Sequence, residues 1–189
     1  MTVFESITHK NKNFTESLLT QGEYEDCQFI NCNFEAVNLS HFVFIACQFE
    51  NCNLSNIKLA HCSIQDVSFI TCKMLGIDFS MCNPFLLRFN FAHCQLSFSS
   101  FYQLKIKGTS FISCHLTEVD FVNTNLQLAI FDACNLVGAQ FENTLLEKAN
   151  FLTAIGYSIN PELNYIHGAK FSTHGLSGLL TKYNLDIAD

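Results

Sequence analysis

Ten cysteines and one pair of histidines are the residues whose chemistry first asks for an explanation. Cys27, Cys32, Cys47, Cys52, Cys62, Cys72, Cys82, Cys94, Cys114 and Cys134 could pair as disulfides, bind a soft metal or act as nucleophiles. His41 and His61 stand twenty residues apart, a spacing that stacks them if the chain coils at that interval. Two imidazoles fall short of the four ligands of a structural zinc site and of the three plus water of a catalytic one, so they read as surface histidines. Disulfides belong to short exported chains. Here the opening MTVFESITHKNKNF lacks the basic flank and apolar stretch of a signal peptide, and 189 residues can bury a core without staples. The sequence has no glycine-rich phosphate loop, no nucleophile motif and no aligned carboxylates, so no enzyme, cofactor or metal is expected.

The placement of the cysteines explains them better than their reactivity does. The stretch CQFINCNF at 27–34 returns as CQFENCNL at 47–54. From Phe14 to Phe79 every fifth residue is large and apolar, as in Tyr24, Phe29, Phe34, Leu39, Phe44 and Phe49. The frame then slips by two residues, resumes at Leu86 and Phe91, and continues to Phe151. A helix would repeat at 3.6 residues and an ordinary strand at two. Two residues before each large one sits a smaller residue, and residues two apart in extended chain point the same way. All ten cysteines fall in that small slot, which predicts buried free thiols acting as small hydrophobes. The copy at twenty residues predicts four units per closed coil, with each residue above its counterpart. From Phe91 to Phe151 phenylalanine alternates with leucine or isoleucine, which places the rings on two opposing walls. Asn31 over Asn51 and Asn33 over Asn53 are expected to bond along the coil.

Units such as CNFEA, VNLSH, VDFVN, CNLVG, AQFEN and ANFLT resemble the A(D/N)Lxx units of pentapeptide-repeat proteins over about residues 12 to 155. The resemblance implies an all-β protein, a right-handed quadrilateral β-helix of about seven coils, roughly 34 Å long at the spacing of neighbouring strands. The expected organisation is an N-terminal cap at 1–13 and the repeat region at 14–155, with a frame break at 80–86 around Pro84. An irregular loop and last repeat follow at 156–173, then a C-terminal helix and tail at 174–189. Leu176, Leu179, Leu180 and Tyr183 follow helical spacing and predict one apolar face, extended by Leu185 and Ile187. That face is expected to cap the rod or to join two rods as a two-fold homodimer.

A net charge of −7 with ten Lys and Arg is a poor match to nucleic acid, so no direct nucleic-acid contact is expected. No run is long and apolar enough to cross a membrane, and a cytoplasmic location is expected. In length, charge sign, Cys-rich inward slots, mid-chain break and the tail GLLTKYNLDI, the chain is similar to the quinolone-resistance (Qnr-type) members of that family. Those are dimeric acidic rods that imitate duplex DNA, bind DNA gyrase and topoisomerase IV, and protect them from drugs. Asp78, Asp120 and Glu142, and the break at Pro84 and Phe85, are the expected partner contacts, although the acids form no single stripe: Glu23, Glu25 and Asp26 cluster near the N-terminal end, while Asp120 and Glu142 share a wall. The sizeable loops of many Qnr-type proteins are missing here; the interruption at Pro84 is two residues. The other reading is an interaction or scaffold protein whose partner is unrelated to topoisomerase.

Overall fold

The computed structural model describes residues 2–186. Every strand pair in it is parallel, and the strands are short, most of them three residues. They line the walls of a four-sided solenoid. The first wall opens with β1 (Val3–Glu5), β3 (Glu23–Glu25), β5 (Val43–Ile45) and β7 (Ser63–Gln65), paired in that order. The second wall runs the length of the rod as nine strands, from β2 (Thr8–Lys10) to β13 (Lys170–Phe171), which makes about eight coils. The third and fourth walls are tied coil to coil by isolated bridges such as Asn33↔Asn53 and Ser100↔Asp120. Residues pair at a spacing of twenty, as in Phe29↔Phe49 and Phe111↔Phe131.

The interior follows from that register. On the second wall His9, Phe29, Phe49, Phe69, Phe91, Phe111, Phe131, Phe151 and Phe171 form one column, each ring stacked on the next at 4.6–5.3 Å between centroids. The opposite, fourth wall stacks Phe79, Phe101, Phe121 and Phe141 at 4.7–5.3 Å. The two columns meet edge to face, for example Phe101 with Phe111 at 85°, the arrangement that ring quadrupoles prefer. In the C-terminal half leucine and isoleucine fill the first and third walls; in the N-terminal half the first wall carries Phe4, Tyr24 and Phe44, the third Phe14 and Phe34, and leucine fills the fourth.

Each corner needs a residue with positive φ, two positions after each large inward one: Asn31, Ala36, His41, Ala46, Asn51 and their counterparts lie at φ of 51–64°. Type II turns require that geometry, and Asn, Asp and Gly tolerate it best. The polar residue just before each large one holds the turn from its other side. Asn33 Oδ1 accepts from the Glu35 N–H at 3.1 Å, Asn53 Oδ1 from Ser55 at 3.1 Å and Asn135 Oδ1 from Val137 at 3.1 Å. Asn33 and Asn53 therefore fasten their own corners and do not bond each other; Asn53 Nδ2 donates instead to Glu35 of the coil below at 3.2 Å. A ladder contact does occur below the expected pair, from Asn31 Nδ2 to Asn11 Oδ1 at 3.2 Å.

Other expectations change. Residues 1–13 are not a separate cap: Phe4 and His9 hold the frame two units before Phe14, and β1 and β2 pair in register with the coil above. That coil and the extension to Phe171 bring the count to about eight rather than seven. Leu86 is not inward. It sits in the left-handed corner slot at φ 54° and is 62% exposed, so Pro84 keeps the old register and the insertion falls after it. Leu87, Phe89 and Phe91 then alternate inward, and the period becomes 22 residues at Val67↔Phe89. Beyond Phe151, the bridge Leu145↔Tyr165 and the pairing Phe151↔Phe171 return much of 156–173 to the coil. The tail is 3-10 helix at Thr173–Leu179 and Thr181–Tyr183 rather than a single helix of 3.6 period.

Candidate interaction surface

The fourth wall brings two of the three expected acids into one column. Bridges run Asp78↔Ser100, Ser100↔Asp120 and Asp120↔Gln140, so Asp78 and Asp120 stand two coils apart on one line. Glu142 lies one coil further, displaced to the neighbouring corner, where the Asn123 N–H bonds its carbonyl at 2.8 Å. The carboxylates are not equivalent. Asp78 Oδ1 accepts from the Ser80 N–H at 3.0 Å, and Asp120 Oδ1 from the Val122 N–H at 2.9 Å. Both are turn fasteners, and Asp120 commits its second oxygen too, Oδ2 accepting from the Ser100 hydroxyl at 3.3 Å, whereas no hydrogen bond engages the exposed Glu142 carboxylate among the described residues. Met81 and Lys58 border a shallow 300 Å³ hollow beside Asp78.

Pro84 and Phe85 occupy the corner between the fourth and first walls. Phe85 is 67% exposed beside exposed Leu86 and Met81, which gives the mid-rod break an apolar knob. Proline ends the four-stranded run of the first wall because it offers no N–H to the ladder. Sequence reasoning missed Leu86 and Met81. The signal was available: the slot two after each large residue is a left-handed corner and points out, so a leucine or phenylalanine there, such as Leu86, Phe98 or Leu128, is exposed.

At the far end the tail folds back on the last coil. Ile159 N–H donates to the Gly178 carbonyl at 2.9 Å, Ser158 and Thr181 share a hydroxyl bond at 2.7 Å, and Lys182 forms an ion pair with Glu162. A side chain at Gly178 would collide with Tyr157, so the glycine permits the close approach. The expected single apolar face is split: Leu179 packs on the core, while Leu176, Leu180 and Tyr183 turn outward, the Tyr183 hydroxyl donating to Glu162 Oε1 at 3.3 Å. A 3-10 helix has three residues per turn, so a 3.6-residue stripe cannot stay on one side of it. Leu185 is also exposed, and Ile187 lies outside the described residues.

The cysteines are all free and buried. Most of their thiols donate to carbonyls of the coil below, as Cys47 does to Tyr24 at 3.2 Å and Cys52 to Phe29 at 3.2 Å. Burial pushes Cys47 and Cys62 up to about 12, which removes the thiolate that nucleophilic or metal chemistry needs. The rings of His41 and His61 stack at 5.3 Å on the surface. Among the described residues no three His, Cys, Asp or Glu side chains gather as metal ligands.

Family models of pentapeptide repeats match the chain twice, as eight repeat copies over residues 27–66 and as a repeat region over 84–154. No curated protein matches it in sequence. Among solved structures it is similar to full-length QnrB1, a plasmid-mediated fluoroquinolone resistance protein, at 16% identity and a TM-score of 0.48, covering 97% of this chain and 100% of that one. HetL from the cyanobacterium Nostoc sp., involved in heterocyst differentiation regulation, aligns at 14% identity and a TM-score of 0.26, covering 90% and 86%. Rfr23 from Cyanothece aligns at 19% identity and a TM-score of 0.24, covering 56% and 88%.

Proposed function

The chain belongs to the pentapeptide-repeat family, and from that premise we propose that it is an acidic rod that stands in for duplex DNA on DNA gyrase and topoisomerase IV, modulating them or protecting them from fluoroquinolones. The role is binding rather than catalysis. The supporting observation is the fourth wall, where Asp78, Asp120 and Glu142 present carboxylates along one side of a straight rod. Charge density sets the limit of the imitation. A net −7 over the roughly 38 Å of about eight coils is about one charge per 5 Å, against one per ~1.7 Å in DNA. Shape and a few placed carboxylates must supply the rest. The proposed assembly is a homodimer through the outward Leu176, Leu180 and Tyr183, working in the cytoplasm.

One observation favours the second reading, a scaffold for an unrelated partner: Asp78 and Asp120 each have a carboxylate oxygen bound to their own turn. The test is gyrase supercoiling with the protein titrated with and without a fluoroquinolone, using the wild type and Glu142→Lys. Glu142 fastens no turn, so its reversal tests charge without testing folding. Rescue from the drug, or inhibition without it, that weakens at least tenfold in Glu142→Lys supports the topoisomerase reading. No effect of the wild type at large molar excess transfers the weight to the scaffold.

A further inference from the structure

The first wall is not uniformly acidic. Its coils run through Phe4, Tyr24, Phe44, Ile64, the Pro84 corner, Ile106 and Leu126. On the second of these, Glu23 and Glu25 flank Tyr24, with Asp26 at the corner. On the sixth, exposed Lys105 and Lys107 flank Ile106. On the third, the outward residues are Val43 and Ile45, each partly exposed. On the fifth, Asn83 and Arg88 hold the two flanking columns, Asn83 over Ser63 and the Arg88 N–H on the Ile64 carbonyl, and exposed Phe85 and Leu86 bulge out between them. The wall is thus complementary to itself in charge about its fourth coil, whose Asp66 pairs with Arg88 of the fifth. Acids lie two coils to one side and lysines two coils to the other.

A two-fold axis crossing the wall at the Ser63–Gln65 strand reverses the rod direction and keeps each side chain in its own lateral column. It therefore sets Glu23 against Lys105 and Glu25 against Lys107 of a second copy, with the third coil of each copy meeting the fifth of the other. Within one copy these charges are unrelieved. Glu5 and Glu25 are direct ladder neighbours, a like-charge opposition that costs stability. Among the described residues none of Glu5, Glu23, Glu25, Lys105 and Lys107 forms an ion pair. Beside the knob the wall also opens a 190 Å³ crevice lined by Leu87, Phe89, Lys105 and Thr109, space into which the partner's side chains can settle.

We infer that the first wall is a self-association surface on which two copies lie side by side and antiparallel, with the acidic coil of each on the lysine coil of the other. The same rotation leaves both fourth walls on one side of the pair and both C-terminal ends free. Seven overlapped coils give a strip of roughly 34 by 16 Å, about 550 Å² per copy and below the ~800 Å² of a standard interface. The association is accordingly weak and salt-sensitive.

The experiment is sedimentation equilibrium, without any topoisomerase, on Glu23→Lys/Glu25→Lys and on Lys105→Glu/Lys107→Glu, each first shown to melt like the wild type. In the inferred arrangement both variants repel themselves and each weakens self-association at least tenfold. An equimolar mixture restores it, because the two variants are complementary at both contact points. A second measurement uses Glu25→Cys/Lys107→Cys, which oxidises to an intermolecular disulfide through those two positions. Charge variants that associate like the wild type, a mixture no better than its components, or no cross-link at 25 and 107 overturns the arrangement. Association through the tail leaves all three readouts unmoved, so the two contacts are told apart.

Discussion

Cys52 donates its thiol proton to the Phe29 carbonyl of the coil below, and Cys134 does the same to Phe111 at 3.3 Å. A small slot on a solenoid wall suits cysteine, since its sulfur fills the gap beside the ring column and its proton satisfies a carbonyl. The cost appears at high pH. Cys94 and Cys114 are pushed to about 12, first by hydrogen bonding to the next thiol in the column, and Cys47 and Cys62 reach the same range by burial. In the unfolded chain such thiols ionise near their ordinary value of 9.0. Folded pKa values raised above unfolded ones mean stability that is intact below pH ~9 and lost as pH climbs toward ~12. The melting temperature should therefore fall across that window, and fall less in Cys47→Ala/Cys62→Ala, which removes two thiols raised by burial. In parallel, a thiol reagent should find few fast groups at neutral pH and ten in denaturant. Rapid native reaction of most of the ten would overturn the buried-thiol account.

At the scale of the element, two parts of each unit do unequal work. The inward ring supplies stacking and burial, while the Asn or Asp before it supplies one hydrogen bond to its own corner. Phe111 is fully buried and stacked on Phe91 and Phe131 at 5.2 and 5.1 Å, so Phe111→Ala should cost about 3–5 kcal/mol. Asn135→Ala loses one turn bond and should cost about 1 kcal/mol. Denaturant melts of the two single variants check the ordering, and equal losses would mean that corners, not columns, hold the rod together. This division is why the repeat was legible in sequence: large apolar residues recur without exception at every fifth position from Phe14 to Phe79, and the alternation after Phe91 correctly assigned two opposing walls. What was not legible lies where size alone misleads. Leu86 matched the large slot by bulk yet takes a left-handed corner, and Asn33 and Asn53 matched a ladder by spacing yet turn to their own backbone. The tail spacing was read at 3.6 residues, and packing on Tyr157 and Gly178 tightened it to 3-10. Of the expected site, Asp78 and Asp120 do share a line. Their second duty as turn fasteners could not be told from spacing without knowing which atom the next N–H meets.

A solenoid of parallel coils satisfies its backbone everywhere except at its two ends, and the whole molecule must manage both. Coil on coil, the rod is a ladder whose last rungs, Lys170–Phe171 on the second wall and Tyr165 on the first, would offer unpaired groups to any extended chain. The tail crosses this end, places Leu179 on the core and anchors itself through Gly178, Thr181 and Lys182. It covers the edge and, in doing so, presents Leu176, Leu180 and Tyr183 outward. Capping and the proposed association thus fall to the same fifteen or so residues but to different side chains, which makes them separable. Gly178→Val should undock the tail, because the added side chain meets Tyr157; the bared edge should then stack rods, seen as light scattering that grows with concentration. Leu180→Asp changes only an outward side chain, so it should leave the cap closed and the melt unchanged while reducing end-to-end association at least tenfold in sedimentation. If Leu180→Asp also raised scattering, the outward leucines would belong to the cap, and the end of the rod would have no face left for a second copy.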